Sequence, residues 1–123
     1  MKKPEWSPDA VDGLRDLVAY VASTPRGKPR MRAREVLAAV ADLPRTWAQH
    51  PVRRYVGSVV LRRVTTAHGS IVVFSHEDDP ADPAGVIIVR WVAHGNALDQ
   101  EPPPWAVRPA DETPRARPPG VRP

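Results

Sequence analysis

The run Gly85-Val86-Ile87-Ile88-Val89-Arg90-Trp91-Val92-Ala93-His94 constrains the fold more than any other stretch of the chain. It is apolar enough to form a strand buried on both faces, and such a strand belongs inside a sheet. Successive side chains of a strand point to opposite faces. Strict alternation puts Arg90 and His94 on one face with Ile88 and Val92, and Ile87, Val89 and Trp91 on the other. A guanidinium keeps its proton and is costly to bury alone. The arginine therefore predicts a face that opens to a groove, a partner or an acidic ligand.

Two helical patterns precede this strand. Ser7-Pro8-Asp9 is a helix start, with serine as N-cap, proline at the first helical position and an acid in the first turn. Val11, Leu14, Val18 and Val21 recur at helical spacing, with Leu17 widening the stripe, until Ser23-Thr24-Pro25-Arg26-Gly27 breaks the pattern. A second helix is predicted from about Pro29 or Arg30 to Leu43, with Ala33, Val36, Leu37, Val40 and Leu43 inward and Pro44 as its stop. The two make a helical hairpin sharing one apolar face.

From Val56 the period changes from helical to extended. Three β-rich runs follow, Val56 to Thr66, Ser70 to His76 and Val86 to His94, joined by a tight turn at Ala67-His68-Gly69 and a longer acidic loop from Glu77 to Gly85. Short connections imply an antiparallel meander. Lys2 to Trp6 adds one short strand, which Pro4 confines to an edge. The expected fold is α+β, of order β-α-α-β-β-β, with the helical hairpin packed on one face of a small antiparallel sheet.

A chain of 123 residues is one domain's worth of protein. Residues 1–98 are the expected folded unit. Half of the sixteen prolines fall in residues 99–123, a Pro/Arg-rich extension expected to be weakly ordered. Within it Trp105, after three prolines, is expected to dock back on the domain or to be displayed to a partner. No cysteine is present, which removes disulfide and thiolate chemistry and suits a reducing cytoplasm. No segment approaches the roughly 20 apolar residues of a membrane span. A cytoplasmic protein is expected.

The net charge of +4 comes almost wholly from arginine and suits an acidic partner. Arg26, Lys28, Arg30, Arg32 and Arg34 cluster around the interhelical loop and the second helix, and Arg53 and Arg54 stand ahead of the second strand. These are the candidate partner-binding residues, against the plainer reading of a solvated helical face. His76-Glu77-Asp78-Asp79 with Asp82 matches no calcium loop, and no metal or cofactor is expected.

The pieces together resemble the RelE/ParE toxins of bacterial type II toxin–antitoxin systems. Trp6-Ser7-Pro8-Asp9-Ala10 followed by Leu14, Leu17 and Tyr20 is similar to that family's first helix, and Leu43-Pro44 to the end of its second. Arg62, Ile71-Val72-Val73-Phe74 and Ile88-Val89-Arg90-Trp91-Val92-Ala93-His94-Gly95 resemble its closing strands. The resemblance covers roughly Trp6 to Asn96. It implies a growth inhibitor neutralised by a cognate antitoxin, in a toxin–antitoxin hetero-oligomer. It also implies one of two activities: inhibition of DNA gyrase in ParE-like members, or ribosome-dependent cleavage of messenger RNA in RelE-like members.

RNA cleavage needs a group to take the 2′-hydroxyl proton, cations for the crowded phosphate and an acid for the leaving oxygen. Arg62 and Arg90 are candidate cations and His94 the candidate acid or base. The plainer reading is that each arginine pairs with a carboxylate or carbonyl and only organises the fold. RelE-like toxins resemble one another in a tyrosine or histidine near the C-terminus. Here Gly95-Asn96-Ala97-Leu98 follows His94 with no tyrosine, so the ending looks more like the ParE branch. An endoribonuclease is the alternative, and a non-toxic binding module on the same fold is a further one.

Overall fold

The computed structural model describes residues 1–95; the extension 99–123, with Trp105, lies outside the described residues. The element order is β1 (Glu5–Trp6), α1 (Pro8–Ala22), α2 (Pro29–Thr46), a 3-10 turn (Trp47–Gln49), β2 (Val52–Val56), β3 (Val59–Thr65), β4 (Ile71–Asp79) and β5 (Asp82–Ala93). The fold is α+β, with two helices and a five-stranded mixed sheet in the order β1-β5-β4-β3-β2. The edge strand expected near Trp6 is present. It runs parallel to β5, while the other neighbours are antiparallel, so the sheet is mixed rather than purely antiparallel.

Four strands follow the helices instead of three. The run expected from Val56 begins at Val59, because Gly57, with a positive φ of 58°, makes a two-residue turn with Ser58; Val52–Val56, ahead of that run, is an additional edge strand. The acidic loop expected from Glu77 to Gly85 is mostly strand. β4 runs through Asp79, β5 begins at Asp82, and only Pro80-Ala81 turn. Its acids cap that turn, with Asp79 Oδ1 accepting from Ala81 N–H and Asp82 Oδ1 from Ala84 N–H, each at 2.9 Å.

α1 starts at the predicted cap. Ser7 Oγ accepts from Ala10 N–H at 3.1 Å and donates to the Arg90 carbonyl at 3.3 Å, while Ser7 N–H donates to the Val89 carbonyl at 3.0 Å. One buried serine thus starts the helix and ties it to β5. The inward residues are Ala10, Leu17 and Val21, with Leu14 beside them, whereas Val11 and Val18 are half-buried on the flank. Gly13 turns the helix toward the sheet: a Cβ there would lie 2.4 Å from the Val92 carbonyl oxygen. Helix and strand meet backbone to backbone.

In α2, Val36, Val40 and Leu43 face the core as expected, but Leu37 is 48% exposed. Pro44 does not stop the helix, which continues to Thr46. Proline forfeits one bond, to the Val40 carbonyl. Buried Leu43 and half-buried Trp47 on either side, and the Thr46 hydroxyl donating to the Asp42 carbonyl at 3.0 Å, offset that loss. The start of α2 is fixed to the β3–β4 turn: Arg32 donates to Ser70 Oγ from Nε (3.2 Å) and NH2 (3.0 Å), and Glu35 pairs with His68.

Both helices lie on one face of the sheet, over Val64, Val72, Phe74, Ile87, Val89 and Val92. The second face carries Val59, Leu61, Ile71 and Val73, flanked by Val56 and Trp91. Among the described residues no helix is long and apolar enough to cross a membrane.

Candidate functional site

Arg90 sits in a β-bulge. On β5, Trp91 pairs with Val73 and Val89 with Phe74, which leaves Arg90 as the extra residue between them. Alternation resumes one residue out of step, so Val92 joins Ile87 and Val89 under the helices and Trp91 joins Ile71 and Val73 on the second face. The face assignment made from strict alternation is therefore corrected beyond Arg90, and Arg90 and His94 do not share a face.

Nor does Arg90 open its face to solvent. It is fully buried, with Nε donating to Ser75 Oγ at 3.1 Å and NH2 to Glu77 Oε2 at 2.5 Å. Ser75 Oγ in turn donates to the same Glu77 oxygen at 3.1 Å. The three close a triangle that neutralises the guanidinium inside the second face, as buried charge requires.

Arg62 lies on the helical face, in register with Phe74. Its NH1 donates to the His50 carbonyl at 2.7 Å, and its guanidinium carbon stands 5.3 Å from the Trp47 ring centroid. Cation–π contact and hydrogen bond together hold it to the end of α2. The other side of Trp47's surroundings is His76, stacked at 3.9 Å and 7°, whose Nε2 is 2.7 Å from the Ala84 carbonyl and donates to it. His94 stacks on Tyr20 of α1 at 4.3 Å and 9°, with Nδ1 buried and unpartnered. Arg62, Arg90 and His94 are thus not brought together. Each arginine has the carbonyl or carboxylate partner of the plainer sequence reading.

The basic cluster is placed differently. Arg26, Lys28, Arg30 and Arg34 are exposed, and Arg26 has a left-handed φ of 63° at the tip of the interhelical turn. Arg32 alone is drawn inward, to Ser70. Arg26, Lys28, Arg32, Met31 and His68 line a cleft of about 460 Å³ with Tyr20 on its wall. On β2, Arg53 is exposed and Arg54 half-buried.

Tyr20 also lines a second cleft, of about 350 Å³, between α1 and the end of β5. Its other walls are Asp9, Asp12, Asp16, Trp91 and His94. Attention to net positive charge hides this acidic side. The i, i+3, i+7 spacing of the three aspartates, which puts them along one side of α1 flanking its contact with β5, is the signal that reveals it. A third groove, about 450 Å³, runs between the N-terminal strand and α2, with Trp6, Val40, Ala41 and Pro44 along it, Leu37 at its edge and Lys2 and Lys3 at its rim.

Two groups titrate away from their ordinary values. The Ala84 N–H bond holds the Asp82 carboxyl below its usual 3.8. The hydrogen bond to Asp79 raises the Lys2 amine above 10.5. Both act at the β4–β5 turn, Lys2 reaching it from the rim of the third groove through Asp79. No protein-family model, curated protein or solved structure matches the chain.

Proposed function

We propose that the chain is a RelE/ParE-superfamily toxin that acts by binding, as a ParE-like inhibitor of DNA gyrase neutralised by a cognate antitoxin. The family reading rests on the order of elements together with the motifs at Trp6-Ser7-Pro8 and along β5. One observation carries the choice of binding over RNA cleavage. Arg62 and Arg90 lie on opposite faces of the sheet, each held by its own neighbours, and His94 is stacked on Tyr20. Cleavage requires cations and a proton-transfer group around one phosphate. That constellation is missing from these three residues.

The groove beside α2 supports a protein partner. Its apolar lining and lysine rim suit an amphipathic acidic segment of the kind expected of an antitoxin. Arg30 and Arg34 continue the same exposed side of α2 as Leu37 and extend the cationic field past the groove.

Induced expression with two readouts tests the proposal. Growth arrest with loss of plasmid supercoiling and intact transcripts is the expected result. Codon-phased cleavage of translated messenger RNA would establish the RelE-like activity instead. Unaltered growth at good soluble expression would make the chain a non-toxic binding module.

A further inference from the structure

We propose that the cleft between the interhelical turn and the β3–β4 turn binds a compact polyphosphate, the diphosphate group of a nucleotide or of inorganic polyphosphate. At about 460 Å³ it has the size that takes a small ligand. Arg26, Lys28 and Arg32 line it together with His68, and none of the described residues lining it is a carboxylate. Three permanent cations with no acid among them concentrate positive potential over one concave surface. Glu35, one turn along α2 from Met31, is taken up by His68.

The walls of the cleft are held in advance. Arg32 donates from Nε and NH2 to Ser70 Oγ, at 3.2 and 3.0 Å, and Ser70 is fully buried. These bonds fix the guanidinium and, among the described residues, leave the NH1 hydrogens of its fork to donate to an oxyanion. The Glu35–His68 pair is a second tie between α2 and the β3–β4 turn. Arg26 and Lys28, both exposed, reach the same cleft from the interhelical turn. A site whose walls are positioned beforehand loses less freedom when it binds.

The rest of the lining includes apolar surface from Val21, Met31 and the Tyr20 ring, which suits a base attached to the phosphates. A nucleic-acid strand is the competing occupant, and the far side of Tyr20 decides against it. There Asp9, Asp12 and Asp16 line the neighbouring cleft, so a phosphate backbone continued past Tyr20 runs into three carboxylates. A compact anion stays on the basic side and meets none of them.

Titration of the full chain at low salt, followed by amide and arginine side-chain NMR, tests this whether or not the chain is a toxin. Pyrophosphate and ADP are both expected to shift the signals of Lys28, Met31, Arg32 and His68 saturably, with Kd below about 1 mM. Tighter binding of ADP would identify the ligand as a nucleotide, and equal binding as inorganic polyphosphate. Arg26→Gly removes one cation and relaxes a left-handed backbone that glycine adopts without strain. It should weaken pyrophosphate by roughly fivefold while Tm stays close to that of the parent. The proposal is overturned if these signals show no saturable shift up to about 10 mM pyrophosphate. Unchanged affinity in a folded Arg26→Gly, Lys28→Ala variant would overturn it too, as would a single-stranded oligonucleotide that binds where ADP does not.

Discussion

Truncating Arg90 at Cβ would leave Ser75 and Glu77 facing a void where the guanidinium had been. Breaking one side of a buried pair costs more than the pair contributes. Arg90→Ala is therefore expected to destabilise the domain by about 3 kcal/mol in urea unfolding, whereas Arg90→Met with Glu77→Gln should fall within about 1 kcal/mol of the parent. A double variant as unstable as the single one would show that the triangle is not the source. Lost toxicity in Arg90→Ala would accordingly report unfolding, not a missing contact with a target. That arginine was conspicuous in the sequence, and its need for a neutralising partner was legible there. The bulge was not. Alternation counts residues evenly, so one extra residue swapped the faces of Trp91, Val92 and His94 without any local mark in composition. Ser7 was readable as a cap because capping is local. Its bonds to Val89 and Arg90 depend on a strand 83 residues away.

At the level of elements, the β4–β5 turn is where pH should be felt. Asp82 accepts the Ala84 N–H and titrates below 3.8, so its contribution to stability is complete above that value and is lost as pH falls through the lower folded one. Asp82→Asn should flatten the acid limb of the unfolding curve, and carboxyl NMR should show Asp82 titrating below 3.8. A parent-like acid limb in that variant would exclude the turn as its origin. Lys2 works in the opposite direction: raised above 10.5 by Asp79, it stabilises fully below that pH and loses its effect as pH rises past the folded value. These aspartates suggested a long loop because acids and prolines are loop-prone. They prove to be turn caps at the ends of two long strands. Helix boundaries were read better. α1 matched from cap to breaker, and only Pro44 misled, since burial of Leu43 and Trp47 outweighs one missing hydrogen bond.

For the molecule as a whole, the exposed charge of α2 can be changed apart from stability. Arg30 and Arg34 are exposed on α2, beside a groove rather than within the core. Arg30→Glu with Arg34→Glu should leave stability within about 0.5 kcal/mol of the parent and weaken capture by an acidic antitoxin by roughly tenfold or more at low salt. Parent-like antitoxin affinity in a folded variant would move the interface away from α2. The two-layer plan of helical hairpin on sheet followed from periodicity alone. What periodicity lacks is pairing information, so neither the parallel partner of β1 nor the separation of Arg62 from Arg90 was available before the strands were seen in order.

The parallel union of β1 with β5 also sets a timetable for biosynthesis. The N-terminal strand leaves the ribosome first, yet its hydrogen-bonding partner is the last translated of the described strands. Until β5 emerges, α1 has no backbone against which Gly13 can settle, and the apolar stripes of both helices have no sheet to cover. Contacts this distant in sequence slow closure and postpone cooperativity. Translation and assembly therefore run in opposite order, and the nascent chain cannot complete this sheet before β5 exists.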